Sequence, residues 1–157
     1  PEPLIQKNIS RVMSLRDGNR KMSKSEESDY SRINLKDSSD DIVKKIKKAK
    51  TDTQPIPATE KELEKRPEAL NILNIYADIN NISLSSVLKD MQGKEFSYFK
   101  NQLSESLIST IAPIGKKIKE LLNDKGHLEA VLKKGKEKAT KKAEENLKKV
   151  REIVGLL

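Results

Sequence analysis

The sequence predicts a mainly α-helical protein in which a helical domain follows the tail of an α/β domain. Charged residues make up 36% of the 157 residues and aromatic residues only 3%, a composition typical of long solvated helices. From residue 96 onward, apolar residues recur every three or four positions, which is the spacing of one helix face. The first 36 residues lack this period and mix β-branched residues, turn residues and a polar run.

Residues 1–36 are predicted to form the edge of the α/β domain. The β-branched and apolar residues at 9–15 predict a short, buried, extended segment. A turn is expected at 16–19, because the sequence Asp-Gly-Asn tolerates left-handed backbone angles. We expect residues 20–32 to form an exposed, mobile loop and residues 33–35 to form a brief strand or the remnant of one.

Residues 37–157 are predicted to be helical between short connections. A serine at 38 or 39 can cap the first helix, and the stretch 51–66, with its two prolines, predicts an irregular connection. Further helices are expected over 68–80 and from Ser83 to about residue 91. Two long helices follow, and we expect Pro113 to kink or break the first of them. Their apolar faces are predicted to comprise Phe96, Phe99, Leu103, Leu107, Ile111, Ile114, Ile118 and Leu121, and then Leu128, Val131, Leu132, Ala139, Ala143, Leu147, Val150 and Val154.

Composition also limits the chemistry that this chain can perform. There is no cysteine and a single histidine, His127, which excludes disulfides, thiolate nucleophiles and histidine-based triads or metal clusters within the chain. The net charge of +8 favours encounter with polyanions, although lysine interspersed with glutamate is equally typical of an ordinary solvated helix. No apolar run approaches the length of a membrane span, so a cytoplasmic protein without a membrane segment is expected.

The most informative motif is the pentapeptide Lys21-Met22-Ser23-Lys24-Ser25. Its lysines carry mobile positive charges, its serines add hydroxyl groups, and Met22 is one adaptable apolar anchor. Such a loop could close over a nucleoside triphosphate and stabilise the charge that develops on departing pyrophosphate. Chance assembly of the motif from this chain's own composition is about one in a thousand, so we interpret it as functional.

The pentapeptide resembles the second signature motif of class I aminoacyl-tRNA synthetases. Its wider context, RVMSLRDGNRKMSKS at 11–25, is similar to the corresponding stretch of bacterial-type tryptophanyl-tRNA synthetases. Further similar stretches follow in the same order: DDIVKKIKKAKTD at 40–52, NILNIY at 71–76, GKEFSYFK at 93–100 and residues 126–156. The chain therefore resembles the C-terminal portion of that family.

The resemblance implies a domain division and a set of site residues. Residues 1–36 would be the C-terminal edge of a Rossmann-type catalytic domain, and residues 37–157 a helical anticodon-binding domain. Lys21 and Lys24 would be catalytic, binding the ATP phosphates as tryptophanyl-adenylate forms. The complete ATP-binding set that the resemblance implies is Val12, against adenine, with Lys21, Met22, Ser23, Lys24 and Ser25.

The resemblance also implies partners and missing parts. ATP and tryptophan would be substrates, Mg²⁺ would accompany ATP without a ligand that we can name in this chain, and tRNA(Trp) would accept the amino acid. The parent protein would be a homodimer. The first signature motif and the tryptophan pocket would lie before Pro1, so we expect this chain alone to be inactive. One departure is Pro67-Glu68, where the family usually has Pro-Gly.

The alternative is a non-enzymatic, basic helical module that binds RNA or an anionic surface, with residues 1–36 as a disordered arm. A basic strip on the last helix suits either hypothesis, as a solvated face or as a contact to RNA phosphates. Tyr98 lies off the apolar face and is left open, whereas His127 is expected to be a surface or capping residue. The basic strip comprises Lys133, Lys134, Lys136, Lys138, Lys141 and Lys142.

Overall fold

The computed structural model describes residue 2 and residues 11–156. The chain forms two compact units, Pro1–Gly115 and Lys116–Leu157. The described part is helical, with short 3₁₀ turns at Asp29–Ser31 and Glu60–Leu63. Its α-helices are α1 (Ser39–Lys48), α2 (Pro67–Ile79), α3 (Leu84–Met91), α4 (Phe96–Asn123) and α5 (Lys125–Ile153).

Helix α1 begins with a reciprocal cap between Ser38 and Asp41. The Ser38 hydroxyl oxygen accepts a hydrogen bond from the Asp41 N–H at 3.2 Å, and the Asp41 carboxylate accepts from the Ser38 N–H at 3.3 Å. The N–H groups of Ser38 and Asp41 would otherwise have no partner at the start of the helix, so the cap fixes where α1 begins. The Ser38 hydroxyl also donates to Asp41 and holds the pKa of that carboxyl below its ordinary value. The predicted serine cap is confirmed.

Helices α2 and α3 have the expected boundaries to within one residue. Pro67 occupies the first position of α2, where its missing N–H costs nothing. The Ser83 hydroxyl accepts from the Ser86 N–H at 3.1 Å and caps α3. Gly93, with φ of 75°, follows the end of α3 in the left-handed conformation that glycine adopts most readily.

One hydrophobic core in the first unit joins α1, α2, α3 and the first part of α4 to residue Leu15. Phe99 is fully buried at its centre and meets the Tyr76 ring edge-to-face at 5.2 Å and the Phe96 ring at 6.3 Å. Phe96 and Phe99 are both buried, which confirms their assignment to the core, whereas Tyr98 is 47% exposed. Residues 11–36 do not form a separate layer here, since Leu15 packs within the helical core.

One expectation for the first region is wrong, and another holds for most of its residues but not for all. Residues 33–35 form no strand in the described chain; the Asn34 N–H donates to the Asp37 carboxylate at 2.8 Å and the Asp37 N–H donates to the Asn34 carbonyl at 3.0 Å. These bonds between neighbouring residues favour a turn over the backbone pairing of a β-strand. The polar run 20–32 is not exposed throughout, because Ser31, in a 3₁₀ turn, is completely buried.

The long helices also depart from expectation. Helix α4 continues through Pro113, so of the two outcomes predicted at this proline, a kink or a break, the break does not occur. Its apolar face is buried only as far as Leu107, apart from Gly115. Helix α5, whose residues are all described, has no buried residue, and Leu132 on its predicted apolar face is 72% exposed. The His127 side chain is exposed, which confirms the expected surface position, and the backbone N–H of His127 donates to the carboxylate of the capping residue Asp124 at 2.9 Å. None of the helices described is long and apolar enough to cross a membrane.

Candidate functional site: the Lys21–Ser25 loop

The loop is carried by a short antiparallel hairpin, which we call the stem, formed by residues 12–14 and 20–22. The Ser14 N–H donates to the Arg20 carbonyl at 2.8 Å, and the Met22 N–H donates to the Val12 carbonyl at 3.0 Å. Met13 and Lys21 are the residues paired between these bonds. The extended conformation predicted for residues 9–15 is thus confirmed at Met13, and residues 9 and 10 lie outside the described residues. The burial predicted for this segment holds at Ser14 and Leu15, whereas residues 11 and 12 are exposed.

The stem closes through the predicted turn at 16–19, which packs against the start of α2. The Asp17 carboxylate accepts from the Asn19 N–H at 3.0 Å, and the Asp17 carbonyl accepts from the Arg20 N–H at 3.2 Å. At Gly18 a Cβ atom would lie 2.4 Å from the Pro67 carbonyl carbon and 2.6 Å from its oxygen. Only glycine fits this approach, so the turn is held tightly on helix α2.

Glu68, the residue that departs from the family pattern, forms an ion pair beside this turn. Its carboxylate lies 2.7 Å from the Lys50 Nζ, and its side chain is 17% exposed. The hydrogen bond from Lys50 lowers the pKa of Glu68, and the same bond raises the pKa of Lys50. The backbone N–H of Lys50 also donates to the carbonyl of Leu15 at 2.7 Å. The ion pair therefore lies between α2 and the residue that directly follows the first strand of the stem.

Glu68→Gln is expected to make the parent protein less sensitive to acid. A carboxyl whose pKa is lowered by folding contributes stability above its ordinary value, here 4.5, and this contribution is lost as pH falls through the lowered pKa. Urea unfolding at neutral pH and near pH 3.5 should therefore show a smaller difference in the variant than in the wild type. Glu64→Gln, at an exposed position, is the control. An undiminished acid dependence in Glu68→Gln would contradict this role.

A buried lysine anchors the chain after the loop. The Lys45 Nζ lies 2.6 Å from an Asp29 oxygen and 2.6 Å from an Asp37 oxygen, and its side chain is 5% exposed. Burial opposes the charge of Lys45, but the hydrogen bonds to both aspartates outweigh it and raise the pKa of the lysine. Asp29 also lies 3.0 Å from the Arg32 guanidinium. We call Lys45, Asp29 and Asp37 the lysine anchor.

Sequence reasoning missed this anchor, although one signal could have found it. Lys45 falls three residues after Ile42 and four before Ala49, on the face of α1 that those apolar residues predict to be buried. A lysine on a buried face needs partners. The two aspartates come from turns eight and sixteen residues earlier, and no spacing rule connects them to α1.

Asn71 on α2 is the other residue that sequence reasoning missed. Its side-chain oxygen accepts from the Met13 N–H at 3.0 Å, and its amide nitrogen donates to the carbonyls of Met13 at 2.9 Å and Ser14 at 3.3 Å. The Asn71 residue is 3% exposed. Its side chain therefore pairs with the outer edge of the stem as a neighbouring strand would.

The loop itself is exposed, between the stem that Asn71 holds and the lysine anchor. Lys21, Lys24 and Ser25 are exposed, while Met22 is partly buried against the core. The Ser23 hydroxyl oxygen accepts from the Ser25 N–H at 3.2 Å and shapes the tip. An open cleft of about 580 Å³ lies here, lined by Arg20, Lys21, Ser23, Ser25, Glu26 and Glu27.

All of the predicted site residues lie on this one hairpin and its loop. Val12, 38% exposed, is on the stem opposite Met22, and Lys21 and Ser23 line the cleft. Lys24 is exposed but is not among the residues that line it. Within the described residues, no group of three or more acidic, histidine or cysteine side chains could hold a metal ion. The arrangement presents ammonium and hydroxyl groups to solvent, which suits a phosphate-bearing ligand.

Comparison with known proteins defines the class. The sequence model of the family described as "tRNA synthetases class I (W and Y)" matches residues 1–112, which is more than half of the chain. The matched range includes the stem, the loop, the lysine anchor and Asn71. The chain belongs to this family of class I aminoacyl-tRNA synthetases.

Within that family, the similar proteins are tryptophan–tRNA ligases. The enzyme of Caulobacter vibrioides is 49% identical over 155 residues, covering 99% of this chain and 45% of the relative. The enzyme of Rickettsia felis is 47% identical, covering 100% of this chain and 47% of the relative. The chain thus spans less than half the length of these relatives, and it resembles the C-terminal portion of the bacterial enzymes.

Solved structures agree with this assignment. Tryptophanyl-tRNA synthetase from Campylobacter jejuni, complexed with ADP and tryptophan, superposes with a TM-score of 0.72 at 26% identity, covering 99% of this chain and 46% of that one. The Mycoplasma pneumoniae tryptophanyl-tRNA synthetase gives a TM-score of 0.59 at 27% identity, covering 73% and 36%. The predicted fold class, mainly helical with a C-terminal helical domain, is confirmed.

Proposed function

We propose that the parent protein is a tryptophan–tRNA ligase, which activates tryptophan with ATP and transfers it to tRNA(Trp). The observation that carries the proposal is the similarity to tryptophan–tRNA ligases over 99% of this chain. The exposed, anchored loop at Lys21–Ser25 supports it, because it presents the groups that an ATP-activating enzyme needs near the phosphates. This chain alone, which spans less than half of such an enzyme, is proposed to be inactive.

In this proposal the loop acts on the ATP phosphates. Lys21 and Lys24 neutralise charge on the phosphates as the adenylate forms and pyrophosphate leaves. Met22, Ser23 and Ser25 complete the loop with backbone and hydroxyl contacts. Val12, partly exposed on the stem beside Met22, offers an apolar side chain to adenine. Magnesium would arrive with ATP, bound through phosphate oxygens.

Domain division and partners complete the proposal. Residues 1–36 belong to the edge of the Rossmann-type catalytic domain, and residues 37–157 to the helical anticodon-binding domain that contacts tRNA(Trp). The exposed lysines of α5 suit contacts to tRNA phosphates. The parent is proposed to be a cytoplasmic homodimer.

Exchange of radiolabelled pyrophosphate into ATP by the purified parent protein tests the function. Each of the twenty amino acids is supplied singly, and we expect tryptophan alone to drive rapid exchange, with aminoacylation of tRNA(Trp) following when tRNA is added. Exchange driven by tyrosine instead would show that the protein activates tyrosine, the other amino acid that the family description names. An absence of exchange with every amino acid would favour the non-enzymatic helical module.

A further inference from the structure

The three residues Met13, Ser14 and Leu15 form the most heavily bonded backbone segment around the loop. The Ser14 N–H donates to Arg20, across the stem. The Leu15 N–H donates to the Ser31 carbonyl at 2.9 Å, and the Leu15 carbonyl accepts from the Lys50 N–H. The remaining backbone groups of the segment, the N–H of Met13 and the carbonyls of Met13 and Ser14, are all bonded to one side chain, that of Asn71.

The chemistry of an amide suits this position better than any other side chain. Asparagine has one acceptor oxygen and two donor hydrogens at a fixed separation. Here the oxygen accepts from one N–H and the two hydrogens are donated to two carbonyls. Aspartate would keep the acceptor but lose both donors, and leucine would lose all of them with little change in volume. Because Ser14 and Asn71 are buried, water does not readily replace a lost partner.

The burial of Asn71 also shows that it has no surface role. Its neighbours Ile72 and Leu73 on α2 lie in the hydrophobic core, so α2 is a rigid base for the amide. Rotation or sliding of the stem relative to α2 would break these bonds together. The position of the stem, and with it the point from which Lys21 and Lys24 extend, is therefore set from α2.

We infer that Asn71 is a positioning residue for the Lys21–Ser25 loop, holding the stem in the register at which its lysines meet the phosphates of ATP. Asn71 does not touch the substrate; it acts through the backbone of Met13 and Ser14. The catalytic part of this inference rests on the proposed function, whereas the structural part, that Asn71 holds the stem, does not.

Hydrogen–deuterium exchange and pyrophosphate-exchange kinetics of the parent protein test the two parts separately. In Asn71→Leu we expect amide exchange within residues 11–28 to be at least about tenfold faster, with the rest of the core unchanged. The kcat for tryptophan-dependent exchange should fall by about tenfold or more at an unchanged KM for tryptophan. Asn71→Ala, which adds no bulk, should reproduce both effects if the leucine variant folds poorly.

The matched control is Leu88→Ala on α3, a core substitution in the same unit that removes no bond to the stem. It should lower global stability without selective exchange in residues 11–28 and without a fall in kcat. Wild-type protection of residues 11–28 in both Asn71 variants, or a loss of protection spread evenly over the core as in the control, would overturn the inference. If the wild-type protein shows no tryptophan-dependent exchange, the proposed function fails, and the amide-exchange result still decides whether Asn71 holds the stem.

Discussion

Lys24→Ala in the parent protein is expected to slow tryptophan-dependent pyrophosphate exchange by about 10²–10³-fold, the usual effect of removing one group that stabilises developing charge. The lysine is exposed on the loop, so its removal leaves the fold intact. Its ammonium group would meet the phosphates only as the loop closes, and the loss should therefore fall on kcat more than on the KM for tryptophan. Single-turnover formation of the adenylate gives the rate of that step directly.

Lys89→Ala is the matched control for this prediction. Lys89 is also exposed and lies in the last turn of α3, outside the proposed site, so its variant should exchange pyrophosphate at the wild-type rate. A wild-type rate for Lys24→Ala would show that the loop does not perform the proposed chemistry. Equal slowing in both variants would indicate a general effect of net charge.

Lys45→Met is expected to lower the free energy of unfolding by about 2–4 kcal/mol, somewhat less than the full cost of breaking a buried ion pair because Asp29 is half exposed. The substitution keeps the length of the side chain but leaves Asp37, 11% exposed, without its cation. The turns at 29–31 and 34–37, which follow the loop, should lose their shared attachment to α1. Urea denaturation gives the free energy, and amide exchange over residues 26–37 gives the local effect.

Lys44→Met separates the anchor from the simple loss of a positive charge on α1. Lys44 is the preceding residue and is exposed, so its variant should remain within about 0.5 kcal/mol of the wild type. If the two variants unfold at the same urea concentration, the lysine anchor does not stabilise the fold. Selective loss in Lys45→Met would show that the chain after the loop is held by this one side chain.

The features that sequence reasoning predicted well are those with local causes. Ser38 and Ser83 cap helices through bonds to residues three positions away, and the turn containing Gly18 depends on the backbone freedom of adjacent residues. The pentapeptide is recognisable because it is a run of five consecutive residues that resembles a family motif. Such signals lie within a few residues and can be read without knowing the fold.

The features that sequence reasoning missed depend on contacts between distant segments. Asn71 meets the stem 58 residues away, and the lysine anchor joins a helix to two turns. The strand expected at 33–35 failed because Asn34 and Asp37 satisfy each other locally. For Asn71 and the lysine anchor, the partners come from distant segments, and a single amide or charged side chain does not indicate by itself which segment it meets.

The last helix shows a different reason for an incomplete prediction. The period of its apolar residues correctly predicted that residues 125–153 are helical. A period indicates which side chains share a face, but not what covers that face. In the second unit the face is exposed at Val131 and Leu147, so the helix was predictable and its burial was not.

Labelling the parent protein with a lysine-reactive acyl-phosphate derivative of ATP tests the central claim most directly. The reagent transfers its acyl group fastest to amines that lie beside the bound phosphates, and mass spectrometry identifies the modified residue. The account predicts modification of Lys21 or Lys24 that is abolished by excess ATP and absent from Lys89. Modification that excess ATP does not suppress, or that occurs on exposed lysines without preference for residues 21–25, would contradict it.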